Sequence, residues 1–328
     1  MPYKRNEAHA AEATDFTERL RRSRGMSGVC DMQDETAEML PEQLCRRLRE
    51  TYPEHYSMIE DGYRAERPVT MRINPIKGTA AQVREMLAAC GVEVRSAEWY
   101  EDALIVKNGI REHSIEELPL YRRGEIYLQS LSSMLPPILL HPKAGENILD
   151  MTAAPGGKTT EMFALSEGKA LITACERDTG RFERLKFNLE RQGATRVNAL
   201  HTDALRLDDA LKFDKILLDA PCTGSGTIAS GTRIRFSEEY LSRCTRLQEK
   251  LLDKALRLLR KGGTLLYSTC SVLQEEDDCI VARACKNGAR LVPVELPSEI
   301  PLLPSMDGTA CVCPGELYEG FYLAMLTV

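Results

Sequence analysis

The stretch NILDMTAAPGGKTT, residues 147–160, decides how the rest of the chain is read. A short apolar run ends in a loop of small residues and passes into a helix-like segment, and ALITACE (170–176) supplies the next apolar run. Strand, tight loop, helix and strand in that order is the unit from which parallel sheets are built. Toward the C-terminus the alternation continues through VNALHTDA (197–204), KILLDAP (215–221), TLLYSTC (264–270), LVPVE (291–295) and FYLAML (321–326). An α/β fold with a mostly parallel sheet and helices on both faces is predicted. The helix before TLLYSTC has Leu247, Leu251, Ala255, Leu258 and Leu259 on one stripe with Arg257, Arg260 and Lys261 opposite, and Gly262 and Gly263 are expected to stop it.

Toward the N-terminus the pattern changes. LCRRLRE (44–50) reads as helix, VTMRINPIK (69–77) as strand, TAAQVREMLAACG (79–91) as an amphipathic helix closed by glycine, and ALIVK (103–107) as strand. This describes a small α/β domain, and YLQSLSSMLPPILLHP (127–142) reads as a helix leading out of it. The expected division is a polar extension over 1–38, a small domain over 39–140 and a large one over 141–328, in keeping with a length of 328 residues.

The totals exclude several classes. The apolar runs are too short to span a bilayer, and MPYKRNEAHAAEATDF lacks the apolar core of a secretory leader, so a cytoplasmic protein is expected. Eleven cysteines are scattered, odd in number and without C-x-x-C spacing, and the five histidines form no H-E-x-x-H. Reduced thiols and no metal are therefore expected. The net charge of −6 argues by itself against a polyanionic partner, but the charge is patchy. Arg19, Arg21, Arg22 and Arg24 cluster, Arg122 and Arg123 are adjacent, and Arg233 and Arg235 flank Ile234, while acid collects over 275–278.

The chemistry-bearing residues fall at strand ends, where open parallel sheets bind ligands. Gly156 and Gly157 let a ligand approach the backbone at a helix start. Thr152 stands where a phosphate-cradling Walker loop needs glycine, and G-x-G-x-x-G is missing, so the loop suits a carboxylate and a thioether better than phosphates. Glu176 ends the second strand where ribose hydroxyls are gripped, with Asp178 as the next choice, and Asp203 ends the third, where a carboxylate accepts from an adenine amino group. FDKILLDAPCTGSGT (213–227) puts Asp219 and Cys222 on a sharply turning loop, and LLYSTCS (265–271) brings Cys270 to the same edge. A base-stacking aromatic, usual after the proline in enzymes that methylate amines, is replaced by Cys222. Two thiols suit chemistry at a ring carbon: thiolate addition to carbon 6 of cytosine makes carbon 5 nucleophilic toward a sulfonium methyl. Asp219 would hydrogen-bond the base, and Lys158 would lower a thiol pKa or orient Asp219.

An ordered set of segments resembles the Sun-type RNA cytosine-5 methyltransferases: MRINPIK, YLQSLSSM, LDMTAAPGGKTT, ACERDTGR, FDKILLDAPCTGSG, YSTCS and GFYLAML. The resemblance implies a Rossmann-like S-adenosylmethionine-dependent methyltransferase domain preceded by a smaller RNA-recognition-like domain. It implies Cys270 as nucleophile, Cys222 as the thiol assisting proton removal and product release, and Asp219 and Lys158 at the base. Around S-adenosylmethionine it implies Thr152, Ala153, Ala154, Pro155, Gly156, Gly157, Lys158, Glu176, Arg181, Asp203 and Asp219. Spacing alone does not choose between the thiols. Thr223 stands where the family more often has serine. Arg72, Arg122, Arg123, Arg181 and Arg233 are the candidate phosphate contacts. A monomer acting on ribosomal RNA is the leading expectation, with transfer RNA, a small-molecule methyltransferase and a non-catalytic RNA-binding scaffold as alternatives.

Overall fold

The computed structural model describes residues 40–230 and 236–328, so the extension over 1–38 and Arg233 lie outside the described residues. Two compact units are present: Pro68–Gln129 with Arg191–Gly193, and 40–67 with Ser130–Glu190 and Ala194–Val328.

Two helices open the larger unit, α1 (Glu42–Thr51) and α2 (Tyr56–Arg64). Leu44, Leu48, Ile59 and Tyr63 are buried in that unit's main core. The apolar faces of these two helices have their partners in the larger core, and the compact units divide at 67/68 and at 129/130.

In the small unit, β1 (Thr70–Ile73), β2 (Val94–Ala97), β3 (Tyr100–Val106) and β4 (Ile126–Leu128) form an antiparallel sheet in the order β2-β3-β1-β4. Helix α3 (Ala80–Ala89) starts at a reciprocal cap in which Thr79 accepts from the Gln82 N–H and Gln82 reaches back to Thr79. Val83 and Leu87 then face a core with Met71, Ile73, Leu104 and Ile126. The residues YL, read as the beginning of a helix, lie in β4, and helix α4 begins later, at Leu131, and runs to Leu140 behind a Ser130 cap.

All seven apolar runs from residue 147 onward form strands: β5 (Asn147–Asp150), β6 (Leu171–Glu176), β7 (Asn198–His201), β8 (Phe213–Asp219), β9 (Leu259–Thr269), β10 (Arg290–Val292) and, near the C-terminus, Phe321–Thr327. A hairpin that sequence reading did not single out, β11 (Leu302–Leu303) and β12 (Ala310–Val312), precedes that last strand, which is therefore β13. The sheet order is β11-β12-β13-β9-β8-β5-β6-β7, with β10 pairing β13. The strands from β9 to β7 are parallel and those beyond β9 antiparallel, so the sheet is mixed. Helices α5 (Gly157–Leu165), α6 (Thr179–Arg191), α7 (Glu238–Leu258) and α8 (Asp278–Lys286) follow β5, β6, β8 and β9.

Alternate residues of the central strands serve opposite faces. Leu149, Ile216, Leu218, Leu265 and Tyr267 share a core with Leu251, Leu252, Ala255 and Leu258 of α7 and Ile280 and Val281 of α8. The equally buried Ile148, Leu217 and Leu266 point the other way. Helix α7 ends at Leu258, short of the glycines expected to stop it; β9 has already begun, and Gly262 and Gly263 sit in it. Leu259 pairs with Phe213 and Thr264 with Lys215, so the intervening residues bulge, and Gly262 takes φ +76° there. Because β5 lies between β6 and β8, the direction of winding reverses at its carboxyl end, where a crevice opens.

Candidate active site

The loop after β5 is pinned from several sides. Asp150 is buried and accepts from Thr159 Oγ1 at 2.6 Å, while burial pushes its carboxyl up to about 6. Thr152 Oγ1 donates to the Asp219 carbonyl at 2.8 Å, and the Ala153 N–H reaches the Cys175 carbonyl at 2.9 Å. The carbonyls of Ala154 and Pro155 accept from Arg181 and Asn188, each at 2.8 Å. Gly156 precedes α5 with φ +106°, and a Cβ there would lie 3.0 Å from Leu185 Cδ1, so only glycine fits this turn without strain. Gly157 then opens the helix.

Lys158, in the first turn of α5, projects toward β8. Its Nζ lies 2.8 Å from Asp219 Oδ2 and donates to Ser133 Oγ of α4 at 2.7 Å. Burial would lower the Lys158 pKa, but the Asp219 carboxylate outweighs it and leaves the ammonium above its ordinary value. The other Asp219 oxygen accepts from Ser268 Oγ at 2.8 Å. One carboxylate is thereby aimed by a cation and a hydroxyl from different elements.

Cys222 follows Asp219 by three residues and Cys270 follows β9 directly; their sulfurs lie 3.1 Å apart, beyond the ~2.05 Å of a disulfide. Both thiols are free and only partly buried. Hydrogen bonding with Cys270, then burial, raises the Cys222 thiol well above its ordinary value. The backbone crosses itself closely nearby: the Gly226 N–H reaches the Cys270 carbonyl at 3.0 Å, and a Cβ on Gly226 would lie 2.0 Å from the Gly320 carbonyl oxygen.

Beside this constellation a cleft of about 490 Å³, counting its solvent-facing mouth, is lined by Met151, Thr152, Glu176, Arg177, Arg181, Thr202, Asp203, Ala204, Pro221, Leu247 and Leu251. Glu176 is buried, with Oε2 3.5 Å from Arg181 Nε, and Oε1 accepts from the Asp178 N–H at 2.8 Å. Asp203 Oδ1 accepts from the Leu205 N–H at 3.0 Å, and Oδ2 lies 3.9 Å from Arg177. The fold thus brings Thr152, Glu176, Arg181 and Asp203 together in the cleft, and Lys158, Asp219, Cys222 and Cys270 into a neighbouring cluster. Pro221 joins the two, since it lines the cleft and precedes Cys222.

The sequence marks Leu247 and Leu251 only as part of a packing stripe, and an apolar stripe looks the same in sequence whether it meets a core or a ligand. Ser133 and Ser268 carried no role, although both lie in quoted segments.

The arginines part company. Arg72 is 1% exposed, its Nε donates to Gln129 Oε1 at 2.9 Å and its guanidinium lies 5.1 Å from the Tyr127 ring centre. The expected phosphate contact is corrected on this point: its charge is enclosed rather than offered to a polyanion. Arg123 is half-buried and pairs with Glu125 at 2.9 Å, Arg181 serves the cleft, and Arg122 is exposed. The acids after Cys270 are also occupied: Glu275 pairs with Arg47, Glu276 bonds Thr223, Asp277 accepts from Thr269, and Asp278 accepts from Tyr322. No helix among the described residues is long and apolar enough to cross a membrane, and no cluster of three or more His, Cys, Asp or Glu among them could hold a metal ion.

The profile of a family described as "16S rRNA methyltransferase RsmB/F" matches residues 137–327, and that of an "RsmF/B-like, ferredoxin-like domain" matches 40–111. The chain is 35% identical to a "28S rRNA (cytosine-C(5))-methyltransferase" of Mus musculus over 70% of its own length and 30% of that protein. It is 31% identical to "Ribosomal RNA small subunit methyltransferase F" of Shewanella loihica, covering 88% of this chain and 62% of the other. The chain therefore spans less than two thirds of these curated relatives. A solved structure titled as a methyltransferase homolog protein from Pyrococcus horikoshii superimposes with a TM-score of 0.76 and 30% identity, covering 88% of this chain and all of that one.

Proposed function

Given that the chain belongs to the RsmB/F methyltransferase family, with a Rossmann-like domain and a ferredoxin-like unit, we propose that it methylates carbon 5 of a cytosine in RNA, ribosomal RNA first, using S-adenosylmethionine. The observation that carries this reading is the cluster in which two sulfurs lie 3.1 Å apart beside a carboxylate paired with a lysine. Neither a small-molecule methyltransferase nor an RNA scaffold requires that pair.

The cleft fits the cofactor chemically. Glu176 and Asp203 offer carboxylates to ribose and adenine, and Leu247, Leu251, Met151 and Pro221 give an apolar wall for the adenine base. When bound, S-adenosylmethionine supplies an electrophilic methyl group on sulfonium. The protein's own groups do the remainder. Asp219, aimed by Lys158 and Ser268, hydrogen-bonds the cytosine edge and favours addition at carbon 6. Cys270 is the nucleophile that forms the covalent bond at carbon 6 and leaves after methylation, and Cys222 receives the carbon 5 proton. A base inside a duplex must be unstacked at a cost of a few kcal/mol, so the target is an unpaired segment or RNA exposed during assembly.

Labelled cofactor and RNA from cells lacking the protein test this reading. Cys270→Ala should abolish product, whereas Cys222→Ala should accumulate a protein–RNA adduct on a denaturing gel. Undiminished methylation by Cys270→Ala would refute it. Mapping 5-methylcytosine in those cells separates ribosomal from transfer RNA.

A further inference from the structure

The two thiols are held by different means. Cys270 sits at the end of β9, whose last residues are laddered on both sides: Ser268 pairs with Asp219 and Leu323, and Thr269 with Tyr322. Cys222 has no such support. The N–H of Ala220 reaches the Ser268 carbonyl at 2.8 Å, and beyond that point the chain has left the sheet.

The residues flanking Cys222 are instead tied to one fully buried carboxylate. Glu276 Oε1 accepts the Thr223 N–H at 2.9 Å, and Oε2 accepts Thr223 Oγ1 at 2.5 Å. Oε1 also accepts from Gln248 Nε2 at 3.1 Å, and that same nitrogen donates to the Pro221 carbonyl at 2.9 Å. The Cys222 carbonyl accepts from Tyr240 at 3.3 Å. On its other side Glu276 is anchored to the Cys270 strand, since its carbonyl accepts from Tyr267 Oη at 2.6 Å and the adjoining Asp277 accepts from Thr269 Oγ1 at 2.6 Å. A single side chain spans the loop bearing one thiol and the segment bearing the other. Being enclosed, with both oxygens engaged, it cannot itself touch RNA.

We propose that Glu276, with Gln248 as its partner, is a positioning residue that holds the Cys222 sulfur against Cys270 and so sets the rate of product release rather than of adduct formation. The inference rests on the reading of the two thiols given above. In the step concerned Cys270 is bonded to carbon 6, so the thiol–thiol hydrogen bond that chiefly raises Cys222 is gone, and Cys222 as thiolate takes the proton from carbon 5. The C–H electron pair forms the double bond between carbons 5 and 6, the bond from carbon 6 to sulfur breaks, and Cys270 departs as thiolate. A wandering Cys222 slows this step and leaves the earlier attack by Cys270 intact. Carboxylate hydrogen bonds to backbone N–H groups are among the stronger neutral-to-charged contacts, and small displacements of a reacting group are costly.

The experiment is a single-turnover assay on the full chain with labelled S-adenosylmethionine and RNA from cells lacking the protein, following adduct and free product separately. Glu276→Gln and Thr223→Val should form adduct at the wild-type rate but release product on the order of tenfold to a hundredfold more slowly, while Thr223→Ser, which keeps the hydroxyl, should stay near wild type. Thr223→Val guards against misfolding of the buried Glu276 variant, and thermal melting checks both. Release at the wild-type rate in both variants, with Cys222→Ala still trapping adduct, overturns the proposal and spares the reading beneath it. Equal losses of adduct formation and release in folded Thr223→Val overturn it as well. Failure of Cys222→Ala to trap adduct sinks the underlying reading, and the proposal with it.

Discussion

The sulfurs of Cys222 and Cys270 lie 3.1 Å apart although 48 residues separate them in the chain. They meet because β8 and β9 are parallel neighbours that end side by side. At that distance the Cys222 thiol answers to its neighbour Cys270.

The first consequence is an alkylation profile. Hydrogen bonding with Cys270, followed by burial, raises the Cys222 thiol. Removing the larger cause in Cys270→Ala should lower it, so Cys222 becomes reactive toward iodoacetamide at lower pH. Peptide mass spectrometry across a pH series reads the label at Cys222, and an unchanged profile would count against the pairing.

Loss of the Lys158 ammonium leaves Ser268 as the partner of the Asp219 side-chain oxygens among the described residues. Lys158→Met should reduce single-turnover methylation on the order of 10² to 10³-fold. Lys158→Arg should not restore it, because a planar fork does not replace a point charge between Asp219 and Ser133. The raised lysine stabilises the fold below its ordinary value of 10.5, and that contribution disappears as pH climbs through the higher folded value. The melting difference between wild type and Lys158→Met should therefore narrow only in strong alkali.

Asp150 moves in the opposite sense to most carboxylates. Burial raises it from 3.8 to about 6, so the folded state holds a proton that the unfolded state releases. Its relative contribution is fullest below pH 3.8 and is lost as pH rises through about 6. Asp150→Asn should gain on wild type by on the order of 3 kcal/mol over that window. Chemical denaturation at several pH values measures the difference; a constant offset would contradict the burial argument.

Glu176 faces the cleft with one oxygen toward Arg181 and the other on the Asp178 N–H. Glu176→Gln should weaken S-adenosylmethionine about tenfold to a hundredfold, read by calorimetry. Binding within twofold of wild type would move the ribose site elsewhere.

Arg122 and Arg72 should separate RNA binding from stability. Arg122→Ala should weaken RNA binding and lower the salt slope by about 1. Arg72→Ala, which removes a buried guanidinium from Gln129 and Tyr127, should instead cost about 2 to 3 kcal/mol of stability. Melting curves and salt-dependent binding of both variants decide between these roles.

What the sequence by itself determined is local: the alternation of strands and helices, the small-residue loop over 152–157, and two cysteines each shortly after an apolar strand. Such features are legible because strand period, helix period and turn chemistry act over a few neighbouring residues. Only the tertiary structure decided that residues 40–67 pack in the larger core, that Arg72 is enclosed while Arg122 is not, and that Leu247 and Leu251 wall a cleft. It also decided that β9 begins before its glycines and that Glu276 reaches the Thr223 loop 53 residues away. Each of these is a contact between elements distant in the chain, chosen by sheet order and by which apolar face finds a partner, and periodicity within a single element carries no record of that choice.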